Sequence, residues 1–172
     1  AAGFRACRRC RPVAPGAAAA HAMAVTRACR MIEAAESLPS LESLARAAGL
    51  SAFHFHRVFK AQTGLTPRAY GVAWRERRLR ERLDAARGAA SVTDAIFDAG
   101  FGSSARAYAA APAALGMTPG AYRAGGTAAR ISFAVAQCTL GAILVAESAR
   151  GLCAILLGDD PATLVRDLQD RF

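Results

Sequence analysis

Residues 40–70 read SLESLARAAGLSAFHFHRVFKAQTGLTPRAY, and residues 91–122 repeat the pattern as SVTDAIFDAGFGSSARAYAAAPAALGMTPGAY. Each copy carries an amphipathic helix ending in A-G-[LF], a short turn, a second helix and then [LM]-T-P-x-x-Y. In the first copy Leu41, Leu44, Ala45 and Ala48 form one apolar stripe at helical spacing. Gly49 fits the residue just past a helix C-terminus, where the backbone must turn left-handed. Ser51 then fits an N-cap for the second helix, with Phe55 and Phe59 directed to the same core. Two helices joined by a short glycine-containing turn make a helix-turn-helix, so a tandem pair of them is predicted.

The rest of the chain is read outward from this pair. Its 172 residues suffice for one ordinary domain or two small ones, and 53% hydrophobic content is ample for a core. No apolar run is long enough to span a bilayer. The N-terminus shows no signal-peptide apolar region, so a cytoplasmic location is expected. Five cysteines, an odd number scattered along such a chain, argue for thiols or metal rather than a disulfide framework.

The net charge of +9 is unevenly placed. Residues 1–130 hold 19 of the 22 basic and 8 of the 13 acidic residues, a balance of +11; residues 131–172 carry −2. All the positive residues but Lys60 are arginines, whose planar fork suits phosphate and base recognition. A genome-wide bias toward Arg and Ala would give the same excess, so charge alone does not decide for DNA.

Four segments are expected. Residues 1–12 contain Cys7 and Cys10 at C-x-x-C spacing among Arg5, Arg8, Arg9 and Arg11. Two thiolates are half of a tetrahedral zinc site. Residues 13–20, VAPGAAAA, read as a connector. Residues 21 to about 123 are helical. After Gly125 and Gly126 the pattern changes to three strands, ISFAVAQC, GAILVAES and GLCAILLG. A last helix opens with Asp160 as N-cap and Pro161 at its first position, with Leu164, Val165 and Leu168 on one face.

The tandem repeat, with the Arg-rich helix AWRERRLRERL between its halves, resembles the AraC/XylS type of DNA-binding domain. The order FRACRRCRP, SAFHFHRVFKAQTGLTP, DAGFGSS, LGMTP and ESARGLCAILLGDD resembles, more narrowly, the Ada family of DNA-alkylation repair proteins that are also transcriptional activators. That resemblance implies a mainly α fold. Residues 1–20 would be the remnant of a zinc-binding domain with its linker, and residues 21–125 a double helix-turn-helix domain. Residues 129–172 would be the first part of an α/β, ribonuclease H-like methylguanine-DNA methyltransferase module. It implies zinc held by four cysteines, of which Cys7 and Cys10 are the second pair; one of the first pair accepts a methyl group from DNA. With that first pair outside this sequence, the chain by itself is expected not to hold zinc tightly. The Pro-Cys-His-Arg acceptor segment of the methyltransferase module is likewise absent, and Cys138 and Cys153 read as small apolar residues within strands. The implied partner is double-stranded promoter DNA, with RNA polymerase a further candidate and no membrane.

On the first recognition helix, Phe53, His56 and Arg57 share the face opposite Phe55 and Phe59. Arg57 can fork onto guanine O6 and N7 and Phe53 can meet a thymine methyl group, and the resemblance places base contacts at these positions. Lys60 and Thr66 are expected phosphate partners, which position a protein without reading sequence. The linker helix is read as a rigid connector between the two halves, with Arg78 and its neighbours Arg75 and Arg82 near phosphate. In the second copy Ser103, Ser104 and Arg106 are candidate contacts. Ala109 and Ala111 stand there in place of an arginine and an aromatic, and Pro112 is expected to disturb the helix. Two other readings stay open: a clipped piece of an active methylated-DNA–protein-cysteine methyltransferase, and a plain AraC-type regulator with incidental flanks.

Overall fold

A computed structural model describes residues 16–85 and 91–172. These divide into two compact units, one ending at Gly71 and the other beginning at Val72.

The first unit is helical. It contains α1 (Ala17–Ala34), α2 (Leu41–Ala48), α3 (Ala52–Thr63) and the start of α4 (Pro67–Ala85). The helix α1 begins earlier than expected: Ala17–Ala20, read as connector, form its first turn, as the high helix propensity of alanine favours. Ser40 caps α2 by accepting from the Ser43 N–H at 3.1 Å, and Ser51 caps α3 by accepting from the His54 N–H at 3.3 Å. Gly49 and Gly64 end those helices with φ of +69° and +76°. Between the helices Val25, Ala28, Ile32, Leu44, Ala45, Phe55 and Phe59 form one core. The two phenylalanines are fully buried, each contributing about 1.5–3 kcal/mol of transfer free energy.

The second unit contains the remainder of α4, then α5 (Val92–Asp98), α6 (Ser104–Leu115) and α7 (Pro119–Arg123). The chain continues into β1 (Ser132–Cys138), β2 (Gly141–Ser148), β3 (Gly151–Gly158) and α8 (Pro161–Arg171). The strands form an antiparallel sheet in the order β1-β2-β3. The register passes from Ala146↔Ala154 to Glu147↔Leu152, which leaves Cys153 as the extra residue of a bulge. One face of the sheet, with Ala142, Leu144, Ala146 and Cys153 buried, shares a core with Leu79, Leu83, Ile96, Ala107, Ala111, Leu115, Leu164 and Leu168. Edge strand β1 is exposed along its whole length. Cys138 at its end is therefore exposed, against the expectation of a small core residue, whereas Cys153 is buried. As expected, α8 is capped by Asp160, which accepts from the Ala162 and Thr163 N–H groups.

The repeat is longer than its sequence signature. Each helix pair is completed by a preceding long helix, α1 for the first and the latter part of α4 for the second. Ala28, Ile32 and Glu33 stand to the first pair as Leu79, Leu83 and Asp84 do to the second, at one constant offset. The tyrosine that closes each copy donates to the carboxylate of that helix. Tyr70 reaches Glu33 at 2.5 Å and Tyr122 reaches Asp84 at 3.4 Å.

The second copy departs from the first where the sheet packs against α6. Ala107 and Ala111, both buried, occupy the places of Phe55 and Phe59. Gly116, which ends α6 with φ of +67°, lies so close to β3 that a Cβ there would sit 2.5 Å from the Gly151 carbonyl oxygen. Small side chains on α6 leave room for that approach. Pro112 does not break α6, contrary to expectation: it lies in the last turn, and its carbonyl accepts from the Gly116 N–H at 3.1 Å. Only the bond its own missing N–H would have made is lost.

Candidate nucleic-acid interface

In the first unit the candidate surface is built on the first two turns of α3. Burial of Phe55 and Phe59 fixes the helix about its axis, so the remaining positions must face outward. Phe53 is 74% exposed, an unusual state for a phenylalanine, and Arg57 is exposed one turn on. The Arg57 guanidinium carbon lies 5.8 Å from the Phe53 ring centroid, so the aromatic and the cation form one continuous patch. His56 is half-buried beside them, and Lys60 is exposed in the last turn. Thr66 is half-buried and caps α4, accepting from the Ala69 N–H at 3.1 Å. Its hydroxyl oxygen is engaged in the cap, while its proton can still be given to an anion.

In the second unit Ser103 and Ser104 open α6. Ser103 accepts from the Arg106 N–H at 3.4 Å, and the Arg106 side chain is exposed. Arg75 is half-buried, and its guanidinium is held below its ordinary value by burial and then by the charge of Arg106. Arg106 lies in the first turn of α6, where the free backbone N–H groups also favour an anion. Position along α4 groups Arg75 with Arg78 and Arg82 and carries no record of Arg106, whose charge reaches Arg75 only in the folded chain.

The arginines of α4 divide by what they touch. Arg77 pairs with Glu81 at 2.8 Å, four residues further along the helix, and lies over the Trp74 ring at 5.8 Å. Arg80 donates to the Ala114 carbonyl. Asp84 pairs with Arg171 of α8 at 2.7 Å. Arg78 is half-buried and Arg82 exposed.

Neither Cys29 nor Cys153 is set up as a nucleophile. Burial pushes Cys153 up, and burial raises Cys29 against a partly compensating hydrogen bond with Tyr70. Cys7 and Cys10 lie outside the described residues. Among the described residues no three His, Cys, Asp or Glu side chains cluster to hold a metal, and no helix is long and apolar enough to cross a membrane.

Residues 44–125 match the family described as a helix-turn-helix domain. The "Bifunctional transcriptional activator/DNA repair enzyme Ada" of Escherichia coli (strain K12) is 54% identical over 129 residues, 75% of this chain and 36% of that protein. The "Regulatory protein ada" of Salmonella typhimurium is 46% identical over 129 residues, with the same coverage. The chain thus spans about a third of the length of these relatives. A solved structure, "Crystal structure of the methylated N-ADA/DNA complex", matches 43% of this chain and 55% of its own at 46% identity, with a TM-score of 0.35.

Proposed function

We propose that this chain, related to Ada and carrying a helix-turn-helix domain over residues 44–125, is a sequence-specific DNA-binding transcription regulator of the Ada/AraC type, tied to the response to DNA alkylation. The observation that carries the reading is the outward face of α3. Phe53 and Arg57 project from the first turns of a capped helix whose opposite face is locked by Phe55 and Phe59. A helix so presented fits the major groove, where Arg57 can bind guanine through two hydrogen bonds and Phe53 can contact thymine. His56 completes the base-facing set in this reading. Lys60 and Thr66 hold phosphate, and so do Arg75, Ser103, Ser104 and Arg106 of the second unit. Arg78, half-buried on α4, is assigned to phosphate as well.

The same reading assigns residues 1–20 to the end of a zinc-binding domain with its linker and residues 21–125 to the DNA-binding domain. Residues 129–172 become the opening of a ribonuclease H-like methyltransferase module, consistent with the three-stranded antiparallel sheet and α8. Cys7 and Cys10 supply two thiolates toward a zinc site that needs further ligands. Promoter DNA is the partner and RNA polymerase a second one, in a cytoplasmic protein.

The test is a pair of titrations at matched salt, on promoter and on scrambled DNA, with Arg57→Ala and Arg78→Ala. One bidentate guanine contact contributes about 1–3 kcal/mol of discrimination. Arg57→Ala should collapse the ratio of the two affinities. Arg78→Ala should weaken both DNAs alike and flatten the salt dependence by about one unit of slope. If Arg57→Ala keeps the ratio, α3 is not the reader.

A further inference from the structure

The imidazoles of His21 and His54 meet across the first unit. His21 lies near the start of α1 and His54 in the first turn of α3, and their Nε2 atoms are 3.4 Å apart. Hydrogen bonds from ring N–H groups fall at about 2.7–3.2 Å, so this contact is long for one. It agrees with a different geometry. Two zinc–nitrogen bonds of about 2.0–2.1 Å at a tetrahedral angle hold their nitrogens about 3.3–3.4 Å apart. The ring centroids are 5.2 Å apart and the planes tilted by 59°. Rings aligned head-on along an N–H···N line would have centroids further apart than this, so the rings are canted, as two ligands of one ion are.

We propose that His21 and His54 form a two-histidine site for a divalent transition-metal ion of the zinc, nickel or copper class, which ties α1 to the first turn of α3. Imidazole suits these ions. The arrangement is held before any ion arrives, because Val25 and Ala28 of α1 share one buried core with Phe55 of α3, which fixes the two helices against each other. His54 is exposed and His21 half-exposed, so water completes the coordination. With two protein ligands the site is open and exchangeable, unlike the closed four-ligand sites that fold a domain. It involves neither Cys7 nor Cys10, and it stands whether or not α3 reads DNA.

The experiment uses the full chain with Cys7, Cys10 and Cys138 changed to Ser, so that accessible thiols do not compete, and zinc chloride as the probe. Histidine ring nitrogens are followed by NMR in a zinc titration. The Nε2 signals of His21 and His54 should move together and saturate at one ion per chain, while His56 stays unmoved. At a hundredfold excess of free zinc over Kd the folded-to-unfolded ratio of the first unit should rise about a hundredfold, seen as a higher Tm. His21→Gln and His54→Gln should each abolish the gain, and His56→Gln should keep it. Unmoved Nε2 signals up to the highest zinc concentration the protein tolerates overturn the proposal. A zinc response that survives His21→Gln does so as well.

Discussion

Gly64 and Gly116 occupy the same place in the two copies, the residue that ends the second helix of each pair, and they differ in what lies above them. Both have left-handed backbone, with φ of +76° and +67°. A Cβ on Gly64 would meet nothing within 4 Å, whereas one on Gly116 would lie 2.5 Å from the Gly151 carbonyl oxygen and 2.7 Å from the Leu152 carbonyl carbon. Placing alanine in left-handed backbone costs about 1–2 kcal/mol at either site. At Gly116 the added methyl group also meets main chain that cannot rotate away, so β3 must shift. Overpacking of this kind adds about 1–3 kcal/mol. Gly64→Ala should therefore destabilise the first unit by about 1–2 kcal/mol, and Gly116→Ala the second by about 2–5 kcal/mol. Hydrogen exchange followed by mass spectrometry measures the two units separately, using slow amides of α3 for one and of β2 for the other. The difference between the two losses isolates the docking of the sheet on α6. Equal losses would refute it, and with it the explanation for alanine at 107 and 111.

The other expectations concern the first core, a half-buried phenol and the thiols. Phe59→Ala should destabilise the first unit by about 3–5 kcal/mol, because its fully buried ring packs against Phe55 and edge-on to Tyr70. Phe53→Ala, at a 74% exposed position, should change stability by less than about 0.5 kcal/mol in urea denaturation while weakening DNA binding. The hydrogen bond to Glu33, and then burial, hold the Tyr70 hydroxyl above its ordinary value of 10.0. Since the folded state keeps that proton longer than the unfolded chain does, the stabilisation is complete below pH 10 and is lost as pH rises beyond it. Tyr70→Phe should thus cost about 1 kcal/mol near neutrality, and that deficit should shrink in unfolding curves taken above pH 10; a deficit constant across this range would count against the Tyr70–Glu33 pairing. DNA carrying labelled O6-methylguanine should leave no covalent label on this chain, as Cys153 is buried with a raised pKa and neither it nor Cys138 has a histidine beside it in sequence. Label above background on either cysteine would contradict this.

The sequence by itself determined what depends on neighbours within a turn or two. Ser51 and Asp160 marked helix starts, Gly49 marked a helix end, and the spacing of Phe55 and Phe59 set the inward face of α3 and so the exposure of Phe53 and Arg57. The three strands were legible because their apolar runs are bounded by Gly141, Gly151 and Gly158. Caps and amphipathic periods act over three or four residues, so they can be read along the chain. Only the tertiary structure decided the rest. That α1 and α4 are the third helix of each copy depends on Tyr70 reaching Glu33 and Tyr122 reaching Asp84. That alanine is the fitting residue at 107 and 111 depends on a sheet that begins more than twenty residues later. The meeting of His21 with His54 depends on which helices lie side by side. Such contacts are fixed by packing a shared core, whose partners are distant along the chain, and no local period records them.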